Sequence, residues 1–186
     1  MTTVFISGSI SITNLDPLVI ERIKKIVDLG YRILVGDADG VDSSIQNYLL
    51  QFDSKSTTIF CSGEYPRNNL GLWDVRSVTT NHKIGTREFF TAKDIKMAEE
   101  ADYGLMIWDT KSTGTLNNVI ELLKLNKKSA VFINKNKEFM AIKTPEHLEA
   151  LIGYMSPAAI TKADKKINIH KKISELKNQI PLNLKP

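Results

Sequence analysis

Two rhythms alternate along the chain: short apolar runs of strand length, and longer stretches in which apolar residues recur at helical spacing. Residues 3–7 (TVFIS), 31–35, 57–60, 103–108 and 129–133 are compact, β-rich and bounded by turn residues, which predicts five strands. Between the first two, Val19, Ile20, Ile23, Ile26 and Val27 fall on one helical face. That helix opens on Asp16-Pro17, a cap followed by proline at the first position, and stops at Gly30. Ile45, Leu49 and Leu50 mark a second helix, residues 92–100 a third, and Leu116, Val119, Ile120 and Leu123 a fourth. Strands alternating with helices imply βαβ units and right-handed crossovers. The expected fold class is α/β, Rossmann-like, three-layer α/β/α with a central, mostly parallel sheet of about five strands.

Three segments depart from the rhythm. Residues 62–91 have no sustained period, and carry Trp73, Phe89 and Phe90 with the cations Arg67, Arg76, Lys83 and Arg87. A long irregular segment of this kind reads as a binding loop or a tethered surface loop. Residues 134–143 fit one further strand or hairpin, and TPEHLEALIGYM fits a helix capped by Thr144, with Pro145 in its first turn and Pro157 ending it. Residues 161–186 mix Ile167, Ile169, Ile173 and Leu176 with seven lysines against Asp164 and Glu175. We therefore expect a Rossmann-like nucleotide-binding domain over residues 1–160 and a lysine-rich C-terminal helix or tail over residues 161–186.

Charge sharpens that division. The formal net charge of +4 is concentrated in the last segment, so the body is no basic nucleic-acid platform. The single cysteine, Cys61, excludes an intrachain disulfide framework and fits a reducing cytoplasm, where its expected role is packing. No apolar run approaches the ~18 residues of a membrane span, and the N-terminus reads directly as a strand rather than a signal peptide.

In an open parallel sheet, ligands bind beyond the carboxyl ends of the strands, where the strand order reverses. The loops after the first and fourth strands, Gly8-Ser9 and residues 110–115, are expected to meet there, with GDADGVD (residues 36–42) close by. The stretch STGTLNN opens a helix, and a helix start offers unpaired N–H groups and a dipole that favours an anion. GSIS after the first strand is not a G-x-G-x-x-G fingerprint, and no Walker loop is present, which argues against ordinary dinucleotide dehydrogenases and P-loop NTPases. Asp37, Asp39 and Asp42 lack calcium-loop spacing, so Asp42 is expected to cap the second helix. His82, His147 and His170 are scattered, and no metal or cofactor is expected.

Taken together, FISGS, GDADGVD, AKDIKMAEEAD and WDTKSTGTLNNVIELL resemble, in this order, the SLOG superfamily, which includes the LOG phosphoribohydrolases and DNA processing protein A. GDADGVD is similar to a G-x-A-x-G-[IV]-D motif. STGTLNN is similar to P-G-G-x-G-T-x-E-E, and WDTKSTGT looks closer to a W-D-G-x-S-x-G-T variant. The resemblance spans about residues 3–134 and implies a nucleotide-like small molecule and often a homodimer. Expected ligand contacts are Gly8, Ser9, Gly36, Asp37, Ala38, Gly40, Arg87, Ser112, Gly114, Thr115 and Asn118. Asn117 and Asn118 stand where LOG enzymes carry two glutamates, and the catalytic arginine-lysine pair falls at Lys93-Asp94. An amide neither activates water nor stabilises an oxocarbenium centre well, so Asp94 and Lys93 become the catalytic candidates. Three readings follow: binding of a ribose-phosphate ligand, as a sensor; hydrolysis or transfer at an N-glycosidic bond; and DNA association through the lysine-rich tail.

Overall fold

The computed structural model describes residues 1–179; the end of the expected tail lies outside the described residues. The strands are β1 (Thr3–Gly8), β2 (Arg32–Gly36), β3 (Thr57–Ser62), β4 (Asp74–Val78), β5 (Tyr103–Trp108), β6 (Lys128–Ile133) and β7 (Glu138–Ile142). They form one sheet in the order β4-β3-β2-β1-β5-β6-β7. All pairings are parallel except β6 with β7, which is an antiparallel hairpin. The Rossmann-like α/β expectation holds, with seven strands in place of about five.

The further strand or hairpin expected over residues 134–143 is β7, short and half-buried, whereas β4 (DVRSV) lies in the segment read as irregular and is an exposed edge strand with almost no apolar signal. Arg76 on β4 instead reaches Glu100 at 3.3 Å, and Trp73 just before it donates to the Ser54 carbonyl at 2.9 Å.

Helices α1 (Pro17–Asp28) and α2 (Val41–Gln51) cover one face. Helices α3 (Arg87–Glu100), α4 (Thr113–Lys124), α5 (Pro145–Ile152), α6 (Pro157–Ile167) and α7 (Ile169–Asn178) cover the other. Side chains alternate accordingly. Val4, Ile6, Ile33, Val35 and Ile59 pack under α1 and α2, while Phe5, Leu34, Phe60, Met106 and Trp108 pack under α3 and α4. Both faces are buried, which is why these strands read as continuous apolar runs.

Helix boundaries bring three corrections. Helix α3 starts at Arg87 with Thr86 as its cap, earlier than residue 92. Pro157 does not end α5, which finishes at Ile152; it opens α6 behind the cap Ser156. The expected boundary at residue 160 falls inside α6. The helix expected beyond residue 160 is present as the end of α6 and α7, and Ala163, Ile167, Ile169, Ile173 and Leu176 all join the main core, so residues 161–178 are integral to the body. Among the described residues no helix is long and apolar enough to cross a membrane.

Candidate functional site

The chain winds outward from β1 through β4, returns, and adds β5 on the other side of β1, so the strand order reverses between β1 and β5. Gly8 pairs with Ile107 there, and the loops after both strands meet as expected. Asp109 organises this junction. Its carboxylate accepts from the backbone N–H of Lys111 (2.9 Å) and Ser112 (2.7 Å) and from the Ser11 hydroxyl (2.7 Å). Its own N–H donates to Ser9 Oγ at 3.1 Å. Burial pushes the Asp109 carboxyl up, but these donors outweigh burial and hold it below the ordinary range. Ser112 then caps α4, accepting from the Thr115 N–H (3.3 Å) and hydroxyl (3.0 Å), and Thr115 Oγ1 lies 3.4 Å from the buried Ser9 hydroxyl. The N–H groups of Thr113 and Gly114 belong to the helix's first turn, whose donors have no intrahelical partner. Space above Gly114 is open, for an added Cβ would meet only Ser112 Oγ at 3.8 Å.

At the same strand ends, α3 lowers Lys93 against Gly36 at the end of β2 and against Asp42, the partner of Ser7 on β1. Lys93 is 3% exposed and surrounded by carboxylates: Asp94 at 2.8 Å, and Asp37 and Asp42 each at 3.9 Å. Burial alone would lower the Lys93 pKa, but the charges of Asp94, Asp42 and Asp37 outweigh it and hold the proton more tightly than usual. Three carboxylates share one ammonium, so no single acid gains as much as the lysine does. Asp42, fully buried, is pushed up to about 6 by burial, against the opposing charge of Lys93. Burial also raises Asp37, but Arg67 overrides it. The Arg67 side chain donates to both Asp37 oxygens (2.7 and 3.0 Å), its backbone N–H donates at 3.0 Å, and its guanidinium stacks 4.6 Å from the Phe90 ring centre. Among the described residues no group of three or more His, Cys, Asp or Glu is arranged to hold a metal ion; these carboxylates converge on an ammonium.

Ser7 joins the two halves. Its hydroxyl donates to Asp42 at 3.2 Å and accepts from the Asn118 amide at 3.5 Å. The Asn118 oxygen has no hydrogen-bond partner, although the residue is 3% exposed. The other unpartnered buried side-chain atoms among the described residues are the Ser62 and Ser129 hydroxyls. A buried acceptor left unpaired carries a desolvation cost of about 1–3 kcal/mol.

Most expected site residues therefore converge. Gly8, Ser9, Gly36, Asp37, Ala38, Gly40, Lys93, Asp94, Ser112, Gly114, Thr115 and Asn118 all lie at this edge. Arg87 stands outside the cluster around Lys93, at the start of α3, where it donates to the Lys166 carbonyl at 3.3 Å. Three glycines change meaning. A Cβ on Gly8 would collide with the Ile107 carbonyl and Val41, on Gly36 with Asp42 and Lys93, and on Gly40 with the Ile10 backbone. Their missing side chains make room for the protein, leaving Gly114 alone facing open space. Asp42 is no cap either: Gly40 holds that position, and Asp42 turns inward to Ser7 and Lys93. Cys61 is fully buried in the core, and burial pushes its thiol up.

Sequence reasoning missed Ser7, Asp109 and the specific role of Arg67. Asp109 was visible as the second residue of WDTKSTGT. Arg67 lies in the irregular segment, which Arg67 and Asn68 pin to the GDADG turn: Asn68 donates to the Asp37 carbonyl at 2.9 Å and to Asp39 at 3.0 Å. A cavity of about 610 Å³ lies at the opposite strand ends, lined largely by apolar groups such as Leu18, Tyr31, Leu105 and Phe139. Glu21, Arg22, Lys25, Lys128 and Lys143 also line it, but it lies at the amino ends of the parallel strands, whereas ligands of open parallel sheets bind beyond the carboxyl ends, where the candidate site is placed.

These features define a Rossmann-like domain with a buried polar, partly acidic cluster where α3 and α4 meet the switch point, beneath the open start of α4. A similar fold is found in DNA processing protein A. The match to the protein from Helicobacter pylori, for which a single-stranded DNA binding mode is described, has a TM-score of 0.56 at 21% identity, covering 95% of this chain and 80% of that one. The match to the protein from Streptococcus pneumoniae has a TM-score of 0.54 at 18% identity and covers 87% of this chain. The present chain spans 61% of that second protein's length. No protein-family model and no curated protein matches the sequence.

Proposed function

We propose that this chain binds a nucleotide-derived, ribose-phosphate small molecule at the open start of α4, over the polar cluster where α3 and α4 meet the switch point. The observation that carries the reading is the unpartnered Asn118 oxygen, buried where three polar turns converge. A free acceptor beside an acidic floor suits sugar hydroxyls, which donate. The exposed first turn of α4 suits the anion. Binding is better supported than cleavage: Asn117 is engaged by Lys172 at 2.7 Å, and Asp94, the carboxylate left for chemistry, already pairs with Lys93.

Asn118→Leu tests this directly. An apolar side chain of similar size removes the unpaired oxygen and loses only the long 3.5 Å contact to Ser7, so ligand-free stability is expected to change by no more than about 1 kcal/mol. AMP or ADP-ribose is expected to raise the melting temperature of the wild type and to leave this variant unmoved. An equal ligand shift in both proteins removes Asn118 from the site.

A second reading, association with single-stranded DNA, is favoured by one observation. The lysines are displayed on ordered helices, with Lys162, Lys165, Lys166 and Lys171 exposed along α6 and α7. Converting those four to glutamate is expected to abolish oligonucleotide binding and flatten its salt dependence, whose log–log slope is about 0.7 per neutralised phosphate of a single strand. Affinity that survives the change sinks this reading.

A further inference from the structure

Two contacts tie the C-terminal helices to α3 and α4. Arg87, opening α3, donates to the Lys166 carbonyl at the end of α6. Lys172, in the first turn of α7, donates to Asn117 Oδ1 on α4 at 2.7 Å. Each cation thus ends on a neutral oxygen. Burial lowers the Lys172 pKa first, and the charges of Lys124 and Arg87 lower it further. Glu121, more than Glu175, opposes this without reversing it, and both acids are already engaged, Glu121 with Lys124 at 2.9 Å and Glu175 with Lys171 at 3.8 Å. Two cations whose charges repel one another, each held on a neutral partner and one of them against α4, form an arrangement that a bound anion would relieve.

Accepting the binding-site reading above, we propose that Lys172, with Arg87, forms the subsite for the anionic end of the ligand, so that α7 completes a site otherwise built by the Rossmann-like strands and helices. The identity of residue 117 matters here. A carboxylate at that position would neutralise Lys172, whereas the amide positions its ammonium and leaves the charge available. The ligand class follows: a phosphomonoester or diphosphate of a nucleoside rather than the free nucleoside.

Calorimetric titration of the full chain with AMP and with adenosine, at fixed salt, tests this. The wild type is expected to favour AMP. Lys172→Gln keeps a donor for Asn117 and loses only the charge; it should weaken AMP by about tenfold, the loss of one charge-assisted hydrogen bond, and leave adenosine unchanged. Lys172→Arg should retain the preference. Asn117→Asp, which neutralises Lys172 without removing it, should erode the preference as Lys172→Gln does, and serves if the glutamine variant does not fold. An AMP preference unchanged in Lys172→Gln or Asn117→Asp overturns the subsite while leaving the binding-site reading intact. Failure of the wild type to bind either compound overturns both.

Discussion

Lys93→Met is expected to destabilise the protein by about 3–5 kcal/mol at pH 7.5, the range for removing one partner from a buried ion pair. The methionine fills the space of the lysine stem, so the loss is electrostatic rather than a cavity. Asp37 keeps Arg67, but Asp42 is left with the Ser7 hydroxyl and the Ala38 N–H in a fully buried setting. The deficit should therefore shrink with acidification. Asp42 titrates at about 6 with Lys93 present; without the cation its pKa moves further up, and a proton replaces the lost partner. Urea unfolding at pH 5 and 7.5 measures the effect. Equal losses at both values would mean that the charge of Asp42 is not what Lys93 compensates.

The same carboxyl gives the wild type a pH dependence of defined sign. Its folded value of about 6 lies above the ordinary 3.8, so the native state holds the proton more tightly. The associated stability is present below pH 3.8 and is lost as pH rises towards 6. Asp37, held below its ordinary value, acts in the opposite direction: its contribution is present above 3.8 and lost as pH falls through its folded value. Asp42→Asn isolates the first component, and it should abolish the decline between pH 4 and 6 while leaving the acid limb of Asp37 in place.

How much of this was legible beforehand divides along physical lines. Strands buried on both faces announce themselves, because nothing polar is tolerated there; β1, β2, β3, β5 and β6 were all visible. The edge strand β4 was not, because DVRSV faces solvent and draws its order from the β3 backbone and from Arg76 and Glu100. The switch point was readable from element order alone, which places Gly8-Ser9 against the loop after Trp108. What a sequence does not display is pairing across long separations. That Lys93 descends onto Asp37 and Asp42, and that Arg67 claims Asp37 from an irregular loop, depends on the crossover geometry of the whole domain. The lysines of α6 and α7 misled for a related reason. Their charge density suggests a solvated tail, yet Ala163, Ile167, Ile173 and Leu176 face the core on the opposite side of each helix.

Gly40 shows most sharply how a motif residue can be conscripted by packing. In GDADGVD it is expected to shape the turn and to contact the ligand. In the structure it caps α2 at φ 72° and ψ −122°, a conformation closed to residues with a side chain. The Cβ position is moreover occupied by the Ile10 backbone, from the loop after β1. Gly40→Ala consequently combines backbone strain of about 1–3 kcal/mol with a collision against main chain that cannot rotate away. The expected total is at least about 3 kcal/mol, larger than for a surface turn glycine, because relief requires the loops after β1 and β2 to separate. Gly30, also at positive φ but with open space around its Cβ, is the internal control: Gly30→Ala should incur the strain alone. If the two substitutions prove equally mild in thermal unfolding, the loops are not locked together, and the rigidity ascribed to this edge is lost. If Gly40→Ala is the more damaging and also abolishes the AMP shift at a temperature where the variant is folded, then the contact between the two loops shapes the binding site itself.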